Sequence, residues 1–203
     1  LRQLPFTLTG AQQRAIDEIL ADLTKGTPMN RLVQGDVGSG KTMVAAAAAY
    51  CAARNGCQTA LMAPTEILAE QHYASLSALF ASLGISVALL TGSMAQKEKK
   101  AVREGLQEGT IQIAVGTHAL ISDSTVFQNL GLVITDEQHR FGVGQRSKLS
   151  AKGADPHLLV MSATPIPRTL ALLMYGDLDV SVLDQLPPGR QVVDTFLVGE
   201  SYR

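Results

Sequence analysis

Apolar residues along this chain follow two rhythms. Short, nearly continuous runs, "RLVQ", "TALMA", "SVALLT", "IQIAV", "LGLVIT" and "HLLVMS", alternate with longer stretches in which apolar positions recur every third or fourth residue. The first long stretch, "TGAQQRAIDEILADL", puts Ala11, Ala15, Ile16, Ile19, Leu20 and Leu23 on one helical face behind Thr9, which fits an N-cap. "MVAAAAAYCAAR" reads as a second helix, and two more are expected from about Glu66 to Ser82 and from about Gln96 to Gln107. Short strands apolar on both sides and separated by helices are what a parallel sheet covered on both faces requires. The expectation is an α/β domain over residues 1–185. The prolines and glycine of "LDQLPPGRQ" then break the pattern, and 186–203 read as the start of a linker.

In such sheets ligands gather at the carboxyl ends of the strands. The unusual polar clusters of this chain sit there: "GDVGSGKT" after "RLVQ", "PTE" after "TALMA", "TGS" after "SVALL", "GTHAL" after "IQIAV", "DEQH" after "LGLVIT" and "SATP" after "HLLVM". Six loops at one edge point to one large site.

Composition narrows the class without naming it. At 203 residues, 46% hydrophobic and 17% charged, the chain is a globular domain able to bury a sizeable core. Its net charge of -1 confines any nucleic-acid surface to a local patch. The two cysteines, Cys51 and Cys57, are too few for a disulfide framework and read as reduced thiols of a cytoplasmic protein. No apolar run reaches the roughly 18 residues needed to span a bilayer. The chain opens on Leu1 and ends in mid-pattern, so it is expected to be a piece of something longer.

"GDVGSGKT", Gly35 to Thr42, fits the phosphate-cradling pattern G-x-x-x-x-G-K-[ST] with a strand before it and a helix after it. The loop Gly35, Asp36, Gly38, Ser39 and Gly40 lets successive backbone N–H groups converge on phosphate oxygens, and the following helix adds its positive end. Lys41 would reach the β- and γ-phosphates and Thr42 would offer a hydroxyl to Mg2+. This pattern implies ATP-type nucleoside triphosphate binding, but not what the energy drives. A second acid at the end of a neighbouring strand is then needed for the metal, and Asp136 is placed for it. Glu137, facing elsewhere, could take a proton from the attacking water. His139 reads as a relay from the γ-phosphate to nearby loops, with a structural histidine as the alternative.

With "GDVGSGKT", "APTEILAEQH", "TGS", "GTHAL", "DEQH" and "MSAT" in this order, the chain resembles the first RecA-like motor domain of a superfamily 2 helicase. The blocks "DEQHRFGVGQR" and "MSATPIPRTLALLMYGDLDVSVLDQLPPGR" are similar to the RecG family of branched-DNA helicases, with the Mfd translocases a near relative. The resemblance implies that Gln12 reads the adenine edge and that Ser162 and Thr164 couple hydrolysis to domain movement. It assigns Pro64, Thr65, Glu66, Thr91, Gly92, Thr117, His118 and Arg168 to the DNA path, while each threonine equally suits an N-cap. Phe6 reads as ordinary packing, and Lys97, Lys99, Lys100 and Arg103 as a solvated helix face. The implied partners are branched double-stranded DNA and, in the same protein, a second RecA-like domain and a DNA-binding wedge domain, with no membrane. Because that second domain would supply an arginine finger, the chain alone is expected to hydrolyse ATP very slowly. A P-loop kinase would leave "TGS", "GTHAL" and "SATP" unexplained, and a degenerate binding module would not retain Lys41, Thr42, Asp136 and Glu137.

Overall fold

The computed structural model describes residues 8–136, 148–164 and 178–185. Phe6, Glu137, His139, Arg168 and the linker segment 186–203 lie outside them. Seven strands form one all-parallel sheet: β1 (Asn30–Gly35), β2 (Gln58–Met62), β3 (Val87–Leu90), β4 (Ile113–Gly116), β5 (Leu130–Asp136), β6 (His157–Ser162) and β7 (Asp179–Leu183), in the order β3-β4-β2-β5-β6-β1-β7. Among the described residues the α-helices are α1 (Gly10–Leu23), α2 (Lys41–Arg54), α3 (Glu66–Phe80) and α4 (Gln96–Glu108).

Side chains alternate along each strand, so neighbouring residues enter different cores. Val33, Leu61, Ile113, Val115, Leu132, Ile134, Leu159 and Met161 pack with α1, α2 and α3 on one face. Ala60, Met62, Leu90, Ala114 and Val133 pack on the other with Leu106 of α4, Leu120, Phe127 and Leu149. Leu32 and Val160 join Leu178 in a third, smaller cluster. Burial on both sides is why these strands read as unbroken apolar runs.

Helix α1 is held at both ends. Thr9 caps it as expected, accepting the Gln12 N–H, while the Gln12 side chain accepts the Thr9 N–H to complete a capping box. The buried stripe of α1 includes a carboxylate, Asp22. Its partner is Arg31 of β1, whose Nε lies 2.6 Å from Asp22 Oδ2. Arg31 also donates to Glu18 at 3.0 Å and to Ser181 of β7 at 2.9 Å, so one buried guanidinium joins α1, β1 and β7.

Strand β7 is not among the strands that the sequence pattern reveals. It is short, and its burial alternates because it lies at the sheet edge beyond β1. The other edge strand, β3, is likewise only partly buried. Among the described residues no helix is long and apolar enough to cross a membrane.

Burial alone would raise the Asp22 carboxyl, but the hydrogen bonds and charges of Arg31 and Lys25 outweigh it and hold it below the usual carboxylate range. Its stabilising contribution is therefore complete above the unfolded carboxyl pKa of about 4 and is lost as pH falls through the lower folded value. Arg31→Ala should destabilise the fold by about 2–3 kcal/mol at neutral pH, since it leaves a buried carboxylate with only Lys25. Urea unfolding should show that deficit shrinking below pH 4.

Candidate nucleotide-binding site

The loop Gly35–Thr42 links β1 to α2 and is built around its glycines. Gly38 and Gly40 take positive φ, +79° and +89°. Gly40 has a second reason to lack a side chain: a Cβ there would lie 2.1 Å from Gln12 Nε2. Gln12 is buried and donates from that nitrogen to the Ser39 carbonyl at 2.8 Å. Both ends of its amide are thus engaged, one on the cap of α1 and one on the phosphate loop. In this way it fastens α1 to the loop.

Lys41 Nζ folds back over its own loop, donating to the carbonyls of Gly35 at 2.6 Å and Asp36 at 3.0 Å. Ser39 N–H closes the turn onto the Asp36 carbonyl. Among the described residues the buried Ser39 hydroxyl has no hydrogen-bond partner. Gly40 caps α2 without a side chain, which leaves the positive end of the helix facing the loop. Asp36, Val37 and Gly38 are exposed, so the cradle opens outward.

Asp136 closes β5, and its position relative to the loop follows from register. Gln34 of β1 pairs with Ser162 of β6, and Asp136 pairs with Met161. One strand therefore stands between the loop and the acid, a separation of about 10 Å between backbones. That gap suits a phosphate chain with a hydrated cation. Ser162 sits in the middle and is buried; its hydroxyl accepts the Thr164 N–H at 3.2 Å and meets the Thr164 hydroxyl at 3.1 Å. The expected coupling pair is thus one tight turn between the two halves of the site.

The Asp136 carboxylate is 11% exposed, and its Oδ2 lies 2.6 Å from His72 Nε2. Its Oδ1 takes no hydrogen bond among the described residues. Thr42 and Asp136 are hard oxygen donors of the kind magnesium prefers, and a cation bound largely by phosphates and water needs few protein ligands. Among the described residues no group of three or more His, Cys, Asp or Glu could hold a metal by itself. The donor set fits the ion at a nucleotide, not a self-sufficient metal centre.

The remaining loops cluster over β2, β4 and β3. Thr65 caps α3 and accepts the Leu68 N–H, and Glu66 accepts the Ser93 N–H at 3.0 Å. The Ser93 hydroxyl and the Ser93 and Gly92 backbone hold the Glu66 carboxyl below its usual range. Thr65, Gly92 and His118 are exposed, Pro64 and Glu66 half-buried, and Thr91 and Thr117 buried. Lys99 departs from the solvated face expected for its helix. It is 9% exposed and donates to the Gly92 carbonyl, so it braces the loop after β3. His72 carries a signal that could have revealed it: a polar residue at an apolar position of a buried helical stripe.

Gly40→Ala forces a Cβ into the Gln12 amide and into left-handed backbone, with a cost of about 1–3 kcal/mol. Gln12→Ala removes the reciprocal cap and leaves the Ser39 carbonyl unbonded, about 1–2 kcal/mol. Thermal unfolding should rank both variants below the parent. Titration with a fluorescent ATP analogue should show weaker binding for both.

Comparison with known proteins agrees with this geometry. Residues 9–173 match the family model of the DEAD/DEAH box helicases. The chain is 58% identical over 205 residues to the ATP-dependent DNA helicase RecG of Aquifex aeolicus, covering 100% of this chain and 26% of that protein. It is 58% identical over 198 residues to RecG of Bacillus subtilis, covering 98% of this chain and 29% of the relative. A solved structure of RecG bound to a three-way DNA junction superposes with a TM-score of 0.82 at 52% identity, covering 95% of this chain and 26% of that one. The chain thus spans between a quarter and a third of the length of these relatives. It has the RecA-like helicase fold that its parallel sheet and phosphate loop imply, and it belongs to the DEAD/DEAH box helicase family.

Proposed function

We propose that this chain is the ATP-binding motor domain of a DNA helicase of the RecG type, which couples ATP hydrolysis to the remodelling of branched double-stranded DNA in recombination and repair. The observation that carries the reading is the juxtaposition of Gly35–Thr42 and Asp136 across one strand, beside an exposed row of loops on the same sheet edge. The similarity to a protein solved on a three-way junction supports branched DNA as the substrate.

In this reading the loop N–H groups and the first turn of α2 hold the phosphates, and Lys41 leaves its two carbonyls for the β- and γ-phosphates. Thr42 and Asp136 hold Mg2+, which when bound neutralises charge on the phosphates. Glu137 takes a proton from the attacking water. Ser162 and Thr164, between the two halves, and His139 pass the state of the site onward. Gln12 fixes the loop and, once its amide is freed from Ser39, reads the adenine edge. Pro64, Thr65, Glu66, Gly92 and His118 line the DNA path with Arg168, holding the backbone phosphates without reading sequence. Thr91 and Thr117, being buried, contribute by shaping their loops. Catalysis requires a second RecA-like domain with its arginine, and branch recognition requires a wedge domain, both in the same full-length protein. The free thiols Cys51 and Cys57 support a cytoplasmic setting.

In the full-length protein, Lys41→Ala should reduce DNA-stimulated hydrolysis by about 10²-fold or more and abolish ATP-driven remodelling of forked DNA, with an unchanged circular dichroism spectrum. Persistent remodelling by that variant would exclude the motor reading. The chain alone should turn over ATP about 10³-fold or more slowly than the full-length protein on forked DNA, because the arginine for the γ-phosphate is supplied by the second RecA-like domain in this reading. Comparable turnover in a phosphate-release assay would show that the site is complete by itself.

A further inference from the structure

Helix α3 buries Ala69, His72, Leu76 and Phe80, a stripe at spacings of three and four that faces the sheet. Three of these are apolar and at most 1% exposed. His72 occupies a position where the pattern calls for a leucine. A buried ring nitrogen needs a partner, and the one it finds is the carboxylate that ends β5, at 2.6 Å.

A carboxylate can only accept, so His72 Nε2 carries the hydrogen and Asp136 Oδ2 receives it. This leaves Oδ1 as the oxygen that takes no hydrogen bond among the described residues. Without a partner, the Asp136 side chain would be free to rotate about χ1. With one oxygen held by a side chain locked in a packed helix, the other has a fixed direction. Carboxylates that ligate metals are commonly held by such outer hydrogen bonds, and removing them weakens metal affinity by about 10–100-fold.

The histidine also sits at a junction. Strands β2 and β5 are neighbours, with Met62 opposite Thr135. The chain leaves β2, caps α3 at Thr65, holds the loop after β3 through Glu66, and two helical turns later reaches Asp136 through His72. One rigid helix thus carries both the clamp on the exposed loops and the clamp on the acid.

We propose that His72 is a positioning residue that orients the Asp136 carboxylate for Mg2+ and ties that orientation to the loop-bearing end of α3. The proposal rests on Asp136 being the magnesium-side acid. Leucine suits the buried stripe, so His72→Leu preserves packing while removing the hydrogen bond. Glutamine can place an amide nitrogen near the position of Nε2, whereas asparagine is too short.

The test uses the full-length protein and mant-ADP fluorescence, titrated with magnesium and, separately, in EDTA. For His72→Leu the affinity in EDTA and the circular dichroism spectrum should match the parent, while the magnesium concentration for half-maximal binding rises about tenfold or more. His72→Gln should stay within about threefold of the parent. An unshifted magnesium requirement in a folded His72→Leu protein overturns the proposal. Should that variant not fold, the comparison of His72→Gln with His72→Asn decides: a raised requirement for asparagine alone supports positioning, and equal values overturn it. Asp136→Asn separates the two readings. If it too leaves the magnesium requirement unchanged, the assignment of Asp136 fails; if it alone raises it, only the role of His72 fails.

Discussion

The width of one β-strand governs the arrangement of this site. Strand β6 lies between β1 and β5, and its register sets Ser162 beside Gln34 and Met161 beside Asp136. Were β5 directly beside β1, the acid would crowd the phosphate loop; with two strands between, the pair could not share one cation. Parallel hydrogen bonding fixes this spacing to a fraction of an ångström without any side chain contributing. Side-chain chemistry then needs only to be correct at the ends of strands already in place.

Around that frame, polar residues act as fasteners between elements that apolar packing alone would leave free to slide. Gln12 binds the cap of α1 to the phosphate loop, Arg31 binds α1 to β1 and β7, and Glu66 and Lys99 bind the loop after β3 from two sides. Each is buried or partly buried, and all but Lys99 are bonded to groups far away in sequence. Hydrogen bonds of this kind add little net stability when made and cost more when left unmade, so they define geometry more than they deepen the energy well. The two sides of the sheet edge are joined in the same manner at His72 and Asp136.

What the residues alone disclose is uneven for a physical reason. Six of the seven strands are legible because their sequences are continuous apolar runs, and the phosphate loop is legible from the spacing of its glycines and Lys41. Strand β7 escapes because Asp179 and Ser181 interrupt its apolar residues, and its neighbours in sequence carry turn residues. The cap at Thr9 is evident from local spacing, whereas the engagement of Gln12 with Ser39 is not, since it joins residues 27 apart. Likewise Lys99 reads as one charge among several on a polar helix. Only the position of the loop after β3 turns it inward. Local periodicity thus identifies elements and motifs, while the pairing of polar groups across the fold depends on register that no single segment encodes.

The bonds of Lys41 to the carbonyls of Gly35 and Asp36 bear on how a ligand arrives. Those carbonyls and that ammonium satisfy one another, so the curled form of the loop is fastened by bonds of its own. A triphosphate entering such a loop exchanges one set of charge-assisted contacts for another and has little backbone to order. Its association is then an exchange of partners by a single side chain, and the entropy that an unformed loop would lose has already been lost in folding.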